Sequence, residues 1–91
     1  MKLLPSSRAG KKWSVIYDQK TIHFGDSNYE DYTQHKDPLR KASYRKRHIH
    51  DSIADPSKPG FWSWHVLWNK PSIQQSFDEA VRIAKNQQNI L

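Results

Sequence analysis

The side chains able to do chemistry in this 91-residue sequence fall into two sets, five histidines and a dense run of cations. The histidines are His23, His35, His48, His50 and His65. His48 and His50 are separated by one residue and followed by Asp51. On a helix, residues two apart point about 200° away from each other, so this pair could share an ion only in extended chain. Zinc would need further ligands, for which His35 and Asp51 are the candidates. Histidine that hydrogen-bonds at a helix end or in a core is the stronger reading, and no metal is expected.

Hydrolytic chemistry finds no better footing. The nine acids, from Asp18 to Glu79, are scattered, whereas a metal-dependent nuclease wants clustered carboxylates. There is no Gly-rich phosphate loop and no Gly-x-Ser-x-Gly turn. The chain has no cysteine, which removes disulfides, thiolate metal sites and Cys nucleophiles. A non-catalytic protein without a cofactor is expected.

The cations are more telling. In "HKDPLRKASYRKRHIHD", Lys or Arg holds six of the twelve positions from Lys36 to Arg47, and Asp37 is the one acid among them. Asp37-Pro38 reads as a helix start, with Asp37 able to cap free N–H groups and Pro38 suited to the first turn. On a helix from about Pro38 to His50, Arg40, Tyr44, Arg47 and His48 share one face. Lys41 and Arg45 lie on a neighbouring face. Leu39, Ala42 and Ile49 form a thin apolar stripe, interrupted by Lys46, along which the helix could dock. A solvated helix usually mixes signs, with Glu–Lys pairs one turn apart, and none occurs here. An anionic partner is therefore expected at Lys36, Arg40, Lys41, Tyr44, Arg45, Arg47 and His48, with Trp62 and Trp68 as partly exposed aromatic contacts. The net charge of +6 suits an acidic protein surface or nucleic acid and does not choose between them. No zinc finger, clear helix-turn-helix or aromatic RNA-binding signature is present, so sequence-specific reading of nucleic acid is unsupported.

The elements that must position these residues can be read in outline. Ninety-one residues make one small domain whose core needs large side chains, and the chain carries four Trp, four Tyr and three Phe. Residues 1–12, with Pro, Ser, Gly, four cations and no acid, are expected as a flexible basic arm; residues 13–88 form the domain and 89–91 a tail. "WSVIYD" and "TIHFGD" predict a β-hairpin over about Lys12–Tyr17 and Thr21–Phe24, of open register because no Asn-Gly turn joins them. Asp26 to His35 is turn-rich, with room for one helical turn. Asp51 to Gly60, with two prolines, is a loop. "FWSWHVLW" fits a short helix or a strand, and strand is preferred because a lone hairpin needs a third. Ser72 and Gln75 mark a capping box, after which Ile73, Phe77, Ala80, Val81 and Ala84 make the apolar stripe of a final helix. The fold class is α+β: an antiparallel hairpin or three-stranded sheet, two helices and an aromatic core. No apolar run approaches the ~20 residues of a membrane span, and the short Met1–Pro5 stretch makes no signal peptide, so the chain reads as soluble and made inside the cell.

"HFGDSNYEDYTQHKDPLRKASYRKRH" followed by "KPGFWSWHVLWNKPSIQQS" resembles a small uncharacterised domain of large DNA viruses of algae and protists, with looser relatives in tailed phages. The resemblance runs through Phe24-Gly25, Tyr29, Asp31-Tyr32-Thr33, His35-Lys36-Asp37, Arg40, Tyr44, Arg47-His48, Gly60-Phe61-Trp62-Ser63 and Leu67-Trp68-Asn69-Lys70-Pro71. The phage relatives carry Cys where this chain has His50 and Trp64, so any Cys-based site of theirs is absent here. The resemblance implies a viral protein, made in the host cytoplasm or nucleus and residing in the virion as a minor capsid or cement component. Its partners would then be other virion proteins, with binding to the viral genome as the alternative. The sequence leaves the oligomeric state open.

Overall fold

The computed structural model describes residues 1–90, without the side chains of residues 88–90. In chain order the elements are β1 (Leu4–Pro5), β2 (Lys11–Tyr17), β3 (Lys20–Asp26), α1 (Tyr32–His35), α2 (Pro38–Arg47), α3 (Pro59–Trp62) with a π-helical continuation over Ser63–Leu67, and α4 (Ile73–Ile90). The fold is α+β: a three-stranded antiparallel sheet in the order β1-β2-β3, covered on one face by helices.

β2 and β3 form the expected hairpin. Asp18 and Gln19 both adopt left-handed backbone, at φ 51° and 65°. Two such residues make the tight turn whose twist matches the strands, here achieved without glycine. The turn fixes the register, which places Trp13 beside Phe24, Val15 beside Ile22 and Tyr17 beside Lys20. The period of two then sends Val15, Tyr17, Ile22 and Phe24 to one face, where all four are buried.

The third strand is not the one anticipated. β1 comes from residues 1–12, expected as a free arm, and pairs Leu4 with Ser14 and Pro5 with Trp13. Leu3 packs against the core beside it. "FWSWHVLW", expected as a strand, is helical instead. Pro59 occupies the first turn, and the wider π turn brings Phe61 and Trp62 to the same side as Val66 and Leu67. That spacing follows neither the period of a strand nor that of an α-helix, which is why alternation misled.

The core joins these two surfaces. Phe24 lies 6.4 Å from Trp62, Tyr17 lies 6.3 Å from it, and Phe61 meets it edge-on at 5.0 Å. The indole N–H of Trp62 donates to the Pro56 carbonyl at 2.7 Å, so the ring is buried without an orphaned donor. α4 closes the core with Phe77, Ala80 and Ala84, flanked by Ile73 and Val81, the stripe read from its sequence. At its start the Gln75 N–H donates to Ser72 Oγ at 3.2 Å. α4 runs to Ile90, so two of the three residues expected as a tail are helical; Leu91 lies outside the described residues.

Candidate functional site

The cationic helix α2 begins as its sequence dictates. The Asp37 carboxylate accepts from the N–H groups of Leu39 and Arg40, and Pro38 occupies the first turn. Lys36, in left-handed backbone, turns the chain sharply from α1 into α2. α2 ends at Arg47, three residues sooner than expected. Its C-terminal carbonyl groups are met by Arg45, whose guanidinium donates to the His48 carbonyl at 2.8 Å.

The face of α2 that docks is the reverse of the one its apolar residues suggest. Tyr44 lies between two rings, stacked on Trp68 at 4.1 Å and 7° and on His48 at 4.2 Å and 21°. Trp68 in turn meets His35 at 5.3 Å. Lys41 reaches over Tyr32 and Trp64 and donates to the Asn69 carbonyl at 2.6 Å. Arg45 sits over Trp64 at 5.5 Å. Cation–π contacts of this kind let long basic side chains cover aromatic surface while remaining charged. Burial, with a smaller effect from the Asp51 carboxylate, pushes the Tyr44 phenol up to about 12, so it is neutral at ordinary pH.

This arrangement divides the residues expected to bind a partner. Lys41, Tyr44 and Arg45 hold the helix to the aromatic hub and are only half-exposed. Trp62 and Trp68, expected as partly exposed contacts, are 0% and 8% exposed and belong to the core. His48 is paired with Asp51, its Nδ1 at 3.0 Å from the carboxylate. Arg40 makes a loose pair with Glu30 at 3.6 Å. Lys36 and Arg47 are exposed, and with Lys46 they form no ion pair among the described residues. Leu39 and Ile49, expected to dock the helix, are 79% and 60% exposed, and Ala42 beside them is exposed too. The thin stripe lost to the other face because Tyr44 stacking on two rings buries more than three small contacts interrupted by Lys46 would. Exposed Leu39 and Ala42 on α2 and Ile49 just past its end thus make an apolar strip near Lys46 and Lys36, with no acid on the helix.

A cleft of about 800 Å³ opens on the other flank of α2, lined by Arg40, Tyr44 and Arg47 from the helix and by Lys11, Lys12, Tyr29 and Glu30 from the sheet side. Its floor holds a group that composition concealed. Asp31 is buried and receives Lys12 Nζ at 2.7 Å, while the same ammonium donates to Gln34 Oε1 at 2.7 Å. Asp31 also caps α1, accepting from the N–H of Thr33 and from its hydroxyl, and Gln34 Oε1 returns the bond to the Asp31 N–H. The Asp-x-x-Gln spacing was the available signal. With Asp26, Glu30, Asp31 and Asp51 also on its walls, the cleft balances its own cations. Lys36 and Lys46 lie outside the cleft lining.

The histidines are dispersed. His65 Nε2 lies 2.8 Å from the Ile53 carbonyl, and burial, opposed by that carbonyl and by Glu79, pulls its pKa below the usual histidine value. His23 Nδ1 contacts Ser6 Oγ at 2.8 Å. The Asp37 N–H donates to His35 Nδ1, which puts the ring proton on Nε2. Among the described residues no three His, Cys, Asp or Glu side chains are gathered as a metal site, and no helix is long and apolar enough to cross a membrane.

No curated protein and no solved structure matches the chain. One family model does, over residues 1–48, a span that takes in the whole sheet, α1 and α2 with its capping residue His48. The chain belongs to that family, a family of unknown function (DUF5754).

Proposed function

We propose that this protein is a non-catalytic interaction module whose outer α2 face docks on an acidic protein surface with an apolar centre. One observation carries the reading: Leu39 on α2 and Ile49 in the turn just past its end stand 79% and 60% exposed, with exposed Lys46 and Arg47 on the helix and Lys36 in the turn before it. Apolar side chains bordered by one sign of charge suit a partner that buries the first and neutralises the second. In this reading, supported by the sequence's resemblance to domains of large DNA viruses, that partner is a virion protein and this chain a minor capsid or cement component. The rival reading, nonspecific binding to the viral genome, draws on the same cations. Tyr44, Trp62 and Trp68 are committed to the fold, which leaves Tyr29, 71% exposed on the cleft rather than on the outer strip, as the ring open to stacking.

Mass spectrometry of purified particles tests the virion role directly, and structural copy number is the expected result. A salt titration against random duplex DNA tests the rival, since three neutralised phosphates would give a slope of log affinity against log salt near about −3. Absence from particles together with no DNA binding would defeat both readings.

A further inference from the structure

The two edges of the sheet are unlike. The β1 edge is two residues long and contains Pro5, a residue that blunts strand edges. The β3 edge runs for seven residues without proline. Hydrogen bonding settles which groups face outward there. The Ser6 N–H donates to the Lys12 carbonyl, and Leu4 pairs with Ser14, so the even-numbered residues of β2 bond toward β1. Its odd-numbered residues, Trp13, Val15 and Tyr17, therefore bond toward β3, to Phe24, Ile22 and Lys20. The backbone groups of Thr21, His23 and Gly25 point the other way. β3 is the last strand of the sheet, and among the described residues nothing accepts from or donates to them.

We propose that this edge is the interface of a two-fold homodimer, in which β3 pairs antiparallel with β3 of a second copy about His23. Unpaired strand edges are templates for pairing, and a two-fold axis requires the same surface to complement itself. β3 does so with opposite charges matched in the register about His23. With His23 opposite His23, Thr21 lies opposite Gly25, and these are the residues with outward N–H and C=O groups. Lys20 then stands opposite Asp26 at both ends, in pairs of opposite charge. Gly25 holds φ 84°, and the place its side chain would take is filled by Leu67 and Lys12 of the same chain, so the threonine across from it meets bare backbone. Shifting the axis to Ile22 would bring Asp26 opposite Asp18, two like charges. Of these registers, the one about His23 pairs opposite charges at both ends, and in it the six strands would form one continuous sheet. The outer face of α2 is separate from this edge, so a dimer would present that face twice.

Sedimentation of the wild-type chain over a concentration series should show a monomer–dimer equilibrium, with the Thr21 and His23 amides exchanging more slowly as concentration rises. Lys20→Glu and Asp26→Lys should each weaken self-association by about tenfold or more, since each places like charges at both ends of the interface. Mixed in equal amounts, the two variants should restore the dimer, because every end pair is again of opposite sign. In this cysteine-free chain, His23→Cys should cross-link under mild oxidation, its Cα partner lying about 5.5 Å away, whereas Thr21→Cys faces Gly25 and should not. A wild type that stays monomeric throughout overturns the proposal. So does a mixture that fails to recover association, or cross-linking at Thr21→Cys as fast as at His23→Cys.

Discussion

Tyr44 and Trp68 lie ring on ring, 4.1 Å apart and within 7° of parallel, and this stack is what fastens the cationic helix to the rest of the molecule. Tyr44→Ala should destabilise the protein by about 2–4 kcal/mol, as loss of a packed aromatic side chain does. Tyr44→Phe keeps the ring and should cost less than about 1 kcal/mol. Denaturant unfolding followed by tryptophan fluorescence measures both. The hydroxyl gives a second readout. Its folded pKa, about 12, exceeds the ordinary 10.0, so its contribution is complete below pH 10 and vanishes as pH rises through 12. Tyrosinate absorbance should show one phenol titrating late, a feature missing from Tyr44→Phe.

The cap, the hairpin and the last helix were legible because each rests on local physics. Asp37-Pro38 has one good use at a helix start, and the stripe from Ile73 to Ala84 has one face to bury. The errors share a different cause. Whether Leu39 or Tyr44 faces inward depends on Trp68 being there to receive Tyr44, and that ring is 24 positions away in sequence. The strand supplied by Leu4–Pro5 likewise depends on a vacant edge of β2, which composition does not reveal. The cationic run was visible as a run, but two of its six cations, Lys41 and Arg45, are spent on aromatic rings and backbone carbonyl groups, and Arg40 on Glu30. No charge count separates those from the ones left free.

Asp31 and Lys12 form the most deeply set ion pair among the described residues, and removing either partner strands the other. Asp31→Ala should cost about 3–5 kcal/mol, since it deletes the α1 cap as well as the charge. Asp31→Asn retains an oxygen for the cap and should cost measurably less. Lys12→Met should also destabilise, leaving the Asp31 carboxylate with its Thr33 bonds alone. Equilibrium unfolding of the three variants gives the order Ala worst, and equal losses for Ala and Asn would show that the cap contributes nothing.

His65 makes stability depend on pH on the acid side. Its folded pKa is depressed, chiefly by burial, below the ordinary 6.5. A depressed pKa means that the folded state resists the proton. The stabilisation is therefore fully present above pH 6.5 and is lost as pH falls through the folded value. The Tyr44 effect has the opposite sign and lies at the alkaline end, so the two do not overlap. Denaturant midpoints of wild type and His65→Gln, taken from pH 8 to pH 5, should converge as the solution is acidified. Parallel midpoints would show that His65 does not titrate between the two states.

The exposed strip on α2 makes a prediction of the opposite kind, a change that leaves the fold alone. Leu39 and Ile49 contact little of their own chain, so Leu39→Ser and Ile49→Ser should shift stability by no more than about 0.5 kcal/mol. Both should weaken docking on an acidic protein partner, because an apolar contact at the centre of an interface carries more energy than charges on its rim. Lys46→Glu and Arg47→Glu should slow association and flatten its dependence on salt, because the attraction that salt screens is lost. Duplex DNA discriminates the two readings of the same face. If the cations serve phosphate, the charge reversals abolish binding and the serine variants leave it untouched. If they border a protein contact, the serine variants are the more damaging, and binding assays on all four chains separate the outcomes.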